Sequence, residues 1–188
     1  SAPAPPSQPG TLRIHRRLVR RGRASSSSCD VAELRLPPDY ADLLRELDAA
    51  GAEYVLVGGW AVAVHGHGRA TDDLDVFVRA TPDNAERVYR ALARFGAPLS
   101  AHGITPGHFA GPHYGYRVGQ KPLLIEILTT IDGVDFDEAI REALRVSVDG
   151  VSVPVIGRAA LLANKRAAGR HKDLADLEAL GDLEPRHG

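Results

Sequence analysis

The sequence predicts a mixed domain of the α/β or α+β class, in which helices flank a small mixed β-sheet. Two observations predict this class: short β-branched runs alternate with segments of helical hydrophobic spacing, and glycine or proline separates them. The length of 188 residues fits one ordinary domain with an appended tail. Hydrophobic residues at 44% and charged residues at 25% are typical of globular proteins and exclude wholesale disorder.

Helices and strands alternate along the predicted domain, residues 37–188. They are, in chain order, a helix over 40–50, a strand over 53–58, a helix over 60–65, a strand over 73–79, a helix over 82–95, strands over 114–118, 123–129 and 151–156, and helices over 158–168 and 172–180. Local signals support the helix ends: Asp39 as an N-cap, Pro82 in a first turn, and Gly51, Gly96 and Gly169 as stops. The last two helices form a C-terminal helical segment over 158–181.

The tail, residues 1–36, is rich in proline, serine and arginine and is predicted to be flexible. Six arginines precede Asp30, the first acidic residue. Because the whole chain has a net charge of -1, the part of the chain that follows these arginines has a net negative charge. The tail could contact RNA phosphates, or it could be surplus sequence from an early start codon.

Composition also limits the classes of protein. The longest apolar stretch without a charge, residues 54–64, is far shorter than the ~20 residues of a membrane span, so no membrane passage is expected. Cys29 is the single cysteine, which excludes an intrachain disulfide and a cysteine-based zinc site. A reducing cytoplasm is the expected compartment.

Two acidic side chains share one face of the strand over 73–79. Because side chains alternate along a strand, Asp73 and Asp75 project to the same side. Carboxylates so close repel each other, and a divalent cation such as Mg²⁺ is the natural neutralising partner. The Gly58-Gly59 turn precedes a predicted helix and offers backbone N–H groups to an anion. The sequence therefore predicts a phosphate site beside a metal site.

These residues carry a resemblance to a known superfamily. The glycine pair followed by Asp-Leu-Asp-Val resembles the signature of the nucleotidyltransferase superfamily, which includes DNA polymerase β and the aminoglycoside nucleotidyltransferases. A narrower pattern resembles the abortive-infection-type (AbiEii-like) nucleotidyltransferase toxins of bacterial toxin–antitoxin pairs. That pattern consists of Arg69, Thr71, Asp73 and Asp75 with the later run NKRAAGRHKDLADLEAL. The resemblance covers about residues 39–181 and implies a polymerase-β-like fold.

The resemblance also implies a reaction and a third carboxylate. Glu126, in the run LLIEILTTI, matches the third acidic position of the superfamily, and a charge within an apolar strand is costly unless it is paired or binds a metal. It would serve as a metal ligand or as the base. Asp73 and Asp75 would hold two Mg²⁺ or Mn²⁺ ions while an acceptor hydroxyl attacks the α-phosphate of an NTP and pyrophosphate leaves.

Cations near the C-terminus are the expected contacts of the triphosphate. Lys165 is the first choice and Arg69 the second, and Asp173 and Asp176 could orient these cations. The full predicted nucleotide-binding set is Gly58, Gly59, Arg69, Thr71, Lys165, Arg170 and Lys172. The predicted catalytic set is Asp73, Asp75, Glu126 and Lys165, of which the three carboxylates would bind metal.

Structural alternatives stand beside these roles. Asp73 and Asp75 could be exposed residues, the glycine pair could be only a tight turn, and Glu126 could be paired with an arginine. The basic run could be a solvated helix face.

The expected function is transfer of a nucleoside monophosphate from an NTP to an RNA such as the 3′ end of tRNA. The protein would then be a toxin with a cognate antitoxin as partner. The alternatives are modification of a protein or of a small molecule such as an antibiotic, and a non-catalytic nucleotide- or RNA-binding module.

Overall fold

The structure is a computed structural model that describes residues 32–68 and 71–182. Its elements, in chain order, are α1 (Pro38–Ala49), β1 (Tyr54–Leu56), α2 (Gly58–Val64), β2 (Asp73–Val78), α3 (Pro82–Phe95), a 3-10 turn (Pro106–Phe109), β3 (Gly115–Gln120), β4 (Leu123–Leu128), α4 (Phe136–Arg141), β5 (Leu144–Val148), β6 (Val151–Val155), α5 (Arg158–Ala168) and α6 (His171–Ala179).

The strands form one six-stranded sheet in the order β3-β4-β2-β1-β6-β5. β2 pairs with β4 in parallel and with β1 antiparallel, and β4 pairs antiparallel with β3. β1 pairs in parallel with β6, which pairs antiparallel with β5. The prediction of a small mixed sheet flanked by helices is therefore confirmed.

The apolar side of β2 belongs to the core. Leu74, Val76 and Val78 are fully buried, in one apolar cluster with buried side chains of α1 and α3 such as Leu47 and Leu92. Because side chains alternate along the strand, this burial directs Asp73 and Asp75 to the other side of the sheet. Core packing thus fixes the face on which the two aspartates lie.

Tyr40 of α1 links the helical layer to the two strands that carry acidic residues. Its buried phenol hydroxyl contacts the backbone carbonyl oxygens of Asp72 and Leu124, the latter at 3.1 Å. Asp72 directly precedes β2, and Leu124 is the second residue of β4. Burial, together with the nearby Asp73 carboxylate, raises the pKa of Tyr40 to about 12.

Most predicted elements lie where the hydrophobic pattern places them, and the differences have local causes. The helix over 158–168 agrees with α5, whereas α2 begins at Gly58, two residues before its prediction. The pattern predicts neither α4, which has only six residues, nor β5. Each offers too few periodic positions to stand out.

The packed part of the chain begins before residue 37. Leu34 is buried, its N–H donates to the carbonyl of Ser147, and the N–H of Ser147 donates to the carbonyl of Ala32. Part of the segment predicted as tail therefore lies beside β5, while residues 1–31 are outside the described chain. Among the helices of residues 32–68 and 71–182, we find none with the length and apolar character of a membrane span.

Candidate active site

A cavity of about 500 Å³ opens beside the polar face of β2. The glycine turn, β2, β4, β3 and the turn between α5 and α6 contribute to its walls. Nearly every predicted site residue lines it: Gly58, Gly59, Thr71, Asp73, Asp75, Glu126, Lys165, Arg170 and Lys172. Arg69 lies outside the described residues.

Strand register brings the three predicted carboxylates together. In the parallel pair β2 and β4, Asp75 lies opposite Glu126, and Asp73 is two residues before Asp75 on the same face. We call Asp73, Asp75 and Glu126 the carboxylate cluster. Burial raises the pKa of Asp75 above its ordinary value, and the charges of Glu126 and Asp73 raise it further. Lys172 and Lys165 act in the opposite direction.

Gly58 lets the backbone approach the Asp75 carboxylate closely. Its φ of +66° lies in the left-handed region, and a Cβ at this position would overlap the Asp75 Oδ2 atom and crowd its Cγ. The N–H of Val57 also donates to the Asp75 carbonyl oxygen at 3.0 Å. Glycine is therefore needed at Gly58, the first residue of α2, both for its left-handed backbone and for the close approach to Asp75.

We expect Gly58→Ala to destabilise the protein by about 2–5 kcal/mol. About 1–2 kcal/mol would come from the left-handed backbone, and the overlap with Asp75 would add the ~1–3 kcal/mol typical of overpacking. Gly51→Ala is the matched control, because Gly51 has φ of +65° and nothing within 4 Å of an added Cβ. Denaturant unfolding measures both; equal losses for the two variants would contradict the close approach to Asp75.

The oxygen atoms of the aspartates fit a divalent cation. Asp73 Oδ1 is buried and has no hydrogen-bond partner among the described residues, and a buried carboxylate oxygen without a partner is costly. Mg²⁺ binds such oxygen ligands and commonly uses one or two carboxylates. Within residues 32–68 and 71–182, however, no three His, Cys, Asp or Glu side chains are arranged closely enough to hold a metal ion. The structure thus offers an aspartate pair without a completed three-carboxylate cage.

Glu126 has a cationic partner across the sheet. Arg117 lies opposite it in the antiparallel pair β3 and β4, and the Arg117 Nε donates to Glu126 Oε1 at 3.0 Å. The Glu126 side chain is 20% exposed and that of Arg117 is 67% exposed. The arginine pairing considered as an alternative for Glu126 is therefore present, although Glu126 also lines the cavity.

Lys165 is buried between two aspartates of α6. Its Nζ lies 2.8 Å from Asp173 Oδ1 and 2.9 Å from Asp176 Oδ2, and its side chain is only 5% exposed. Asp173 and Asp176 therefore pair with Lys165, and their role in orienting it toward a triphosphate stays a prediction. The ion pairs join α5 to α6 across the turn at Gly169.

The turn between α5 and α6 presents further cations to the cavity. Arg170 lies in that turn, its Nε is 3.4 Å from Asp173 Oδ2, and its Nη2 is 3.8 Å from Asp132 Oδ2. Lys172 lines the cavity one residue before Asp173, and its charge acts on Asp75. Lys165 is buried, so Arg170 of this turn and Lys172 near the start of α6 are the exposed cations of this segment that line the cavity.

Sequence reasoning missed six polar residues of the cavity wall: Asp72, Arg117, Lys121, Thr130, Asp132 and Asn164. Asn164 Nδ2 donates to the backbone oxygen of Asp132 at 2.8 Å, which ties α5 to the segment after β4. Arg117 and Lys121 reach the site from β3 and the turn that follows it. An alternation argument applied to β3 as well as β2 could have found Arg117, but its pairing requires the strand register.

Paired carboxylates, a glycine pair and cations around one cavity are typical of sites that bind phosphate groups together with a divalent cation. The chain belongs to the family described as "Nucleotidyl transferase of unknown function (DUF2204)", whose profile matches residues 37–187. This match confirms the predicted nucleotidyltransferase family, while catalysis and the narrower likeness to abortive-infection toxins stay predictions. No curated protein matches the chain.

Two solved structures resemble the chain. A candidate nucleotidyltransferase from Thermotoga maritima is 15% identical, with 76% of this chain and 92% of that chain covered and a TM-score of 0.48. An antigenic nucleotidyltransferase-like protein from Paracoccidioides brasiliensis is 16% identical, with 76% and 72% covered and a TM-score of 0.45.

Proposed function

We propose that the protein is a metal-dependent enzyme that transfers a nucleoside monophosphate from an NTP to an acceptor hydroxyl. The observation that carries this proposal is the carboxylate cluster, which faces Arg170 and Lys172 across one cavity in a member of a nucleotidyl transferase family. Acidic groups on one side and cations on the other suit a triphosphate with its counter-ion.

In the proposed reaction, the oxygen of the acceptor hydroxyl forms a bond to the α-phosphorus of the NTP. The bond from the α-phosphorus to the bridging oxygen breaks, and pyrophosphate leaves with the electron pair. The hydroxyl proton passes to a carboxylate of the cluster or to water. Such in-line displacement depends chiefly on positioning and on stabilisation of charge.

Asp73 and Asp75 would hold the divalent cation, Mg²⁺ or Mn²⁺, and Glu126 would be the third ligand or the base. When bound, the cation would supply Lewis-acid stabilisation of charge on the phosphate oxygens. Asp73 fits this role because its Oδ1 is buried without a hydrogen-bond partner among the described residues. Asp75 fits it because burial and the charges of Glu126 and Asp73 raise its pKa, and a bound cation would offset the repulsion between these carboxylates.

Arg170 and Lys172 would contact the triphosphate, with Gly59 and Thr71 lining the same cavity. Arg69 remains a predicted contact. Lys165 lines the cavity, but its ammonium already binds two aspartates and its side chain is 5% exposed, so little of it is left for direct contact with the triphosphate. Within this proposal Lys165 therefore acts through its charge and through the placement of α6.

We further propose an RNA acceptor, with the 3′ end of tRNA as first choice, and a cytoplasmic toxin restrained by an antitoxin. The toxin-like pattern around Arg69 and Thr71 supports the toxin role. The exposed cations Arg117 and Arg170 at the cavity support an RNA acceptor, because phosphates of a nucleic acid bind such groups.

The test incubates the full chain with Mg²⁺, each α-labelled NTP and bulk tRNA. We expect label on RNA, lost in Asp73→Ala and on chelation of the metal. Label transfer that survives Asp73→Ala would contradict the assignment of Asp73 to the active site. Absence of label on any RNA or protein would contradict the proposed nucleotidyltransferase activity. A labelled lysate treated with nuclease or protease separates RNA from protein as acceptor, and NTP binding without turnover would indicate a binding module.

Growth arrest of a bacterial host by the wild type, absent in Asp73→Ala, tests the toxin role.

A further inference from the structure

Arg117 is the one cation that the described residues place in an ion pair with a member of the carboxylate cluster. Its partner Glu126 lies between two neighbours in the sheet, Asp75 on the β2 side and Arg117 on the β3 side. The hydrogen bond from Arg117 Nε to Glu126 Oε1 at 3.0 Å engages Glu126 on the β3 side. Among the described residues no three-carboxylate arrangement that could hold a metal ion is present, although strand register places Glu126 directly beside Asp75.

The ion pair between Arg117 and Glu126 can be broken at low cost. Arg117 is 67% exposed, so water can replace Glu126 as the partner of its guanidinium. Lys165 is the contrast, because it is 5% exposed and bound to two buried aspartates, and its separation would leave uncompensated buried charges. Of these two paired cations at the cavity, Arg117 is therefore the one that can release its carboxylate.

We propose that Arg117 is a positioning residue that holds the Glu126 carboxylate toward β3 and gives it up when a divalent cation binds between Asp73 and Asp75. Glu126 then becomes the third oxygen ligand. The inference rests on the proposed function and extends it, because it assigns Glu126 as a ligand and names the group with which the cation competes. Arg117 and the cation are thus alternative partners of one carboxylate.

Direct Mn²⁺ binding tests this competition without turnover. Mn²⁺ titrations followed by electron paramagnetic resonance or calorimetry compare the wild type with Arg117→Ala. We expect the variant to bind Mn²⁺ about tenfold more tightly, a size typical of coupling between two binding events. Lys121→Ala is the matched control, because Lys121 also lines the cavity and its loss removes the same charge. We expect it to change the affinity by only about twofold, as expected for a cation with no direct contact to the ligand set.

The Glu126→Gln background makes the test specific. If competition for Glu126 is the cause, Arg117→Ala in this background should change Mn²⁺ affinity no more than Lys121→Ala does. Equal effects of the two cation substitutions in the wild-type background would contradict the inference. So would weaker Mn²⁺ binding by Arg117→Ala, an undiminished effect in Glu126→Gln, or no Mn²⁺ binding by either the wild type or Arg117→Ala. Melting curves check that each variant is folded.

The labelling assay separates failure of this inference from failure of the proposed function. Label transfer by the wild type, with equal Mn²⁺ affinities in wild type and Arg117→Ala, would reject the exchange alone. Tighter Mn²⁺ binding by Arg117→Ala, with no label transfer by the wild type, would support the exchange and reject the enzyme.

Discussion

Asp75→Asn is expected to lower kcat/KM for nucleotidyl transfer by about 10²–10³-fold, the scale of losing one group that stabilises charge in the transition state. Asparagine keeps the shape of the side chain, so the close contact with Gly58 is retained while one anionic oxygen ligand is lost. Label transfer from NTP measures the effect. Transfer within tenfold of the wild type would show that Asp75 is not a member of the catalytic site.

The same substitution should stabilise the protein. The pKa of Asp75 is raised above 3.8 by burial, by Glu126 and by Asp73, so the folded chain retains the Asp75 proton more readily than the unfolded chain. The carboxyl group thus contributes stability below pH 3.8 that is lost as the pH rises through the raised pKa. The gain in Tm of Asp75→Asn over the wild type should therefore grow from acid to neutral pH. A gain that is constant with pH would contradict the assigned cause.

Lys165→Met is expected to lower the free energy of unfolding by about 3–5 kcal/mol, because removal of one partner leaves buried charge uncompensated. Lys165 is bound to Asp173 and Asp176, all three side chains being at most 5% exposed. Urea unfolding measures the loss. A second variant, Lys165→Met with Asp173→Asn, should recover part of the stability because one of the two buried charges is then removed.

Arg166→Met is the control for this prediction. Arg166 is the next residue of α5 and pairs with Asp182, but its side chain is 53% exposed. Surface pairs contribute about 0–1 kcal/mol, so this variant should lose little. If Lys165→Met keeps its stability and loses only label transfer, the earlier expectation of direct contact between Lys165 and the triphosphate gains support.

The sequence predicts the mixed sheet and the carboxylate face because both depend on local periodicity. Polar and apolar residues alternate from Asp73 to Val76, and burial of Leu74 and Val76 confirms which side faces the core. The six-residue helix Phe136–Arg141 and the strand Leu144–Val148 escape prediction, because each is too short for its periodicity to be distinguished.

The residues that pair across neighbouring strands depend on the register of those strands, and local sequence patterns do not determine that register. Glu126 stands out as a charge within an apolar run, but its pairing with Arg117 depends on how β3 and β4 align. Lys165 likewise stands out as one of three lysines. Its burial depends on how α6 folds back against α5 at the turn that contains Gly169.

The phenol of Tyr40 shows that the helical layer influences the spacing of the acidic groups. Its hydroxyl contacts the carbonyl of Asp72, the residue before Asp73, and the carbonyl of Leu124, two residues before Glu126. Because its pKa is about 12, the hydroxyl keeps its proton well into the alkaline range. An uncharged side chain from the helical layer, which does not line the cavity, therefore helps to fix the spacing between the acidic residues of β2 and β4.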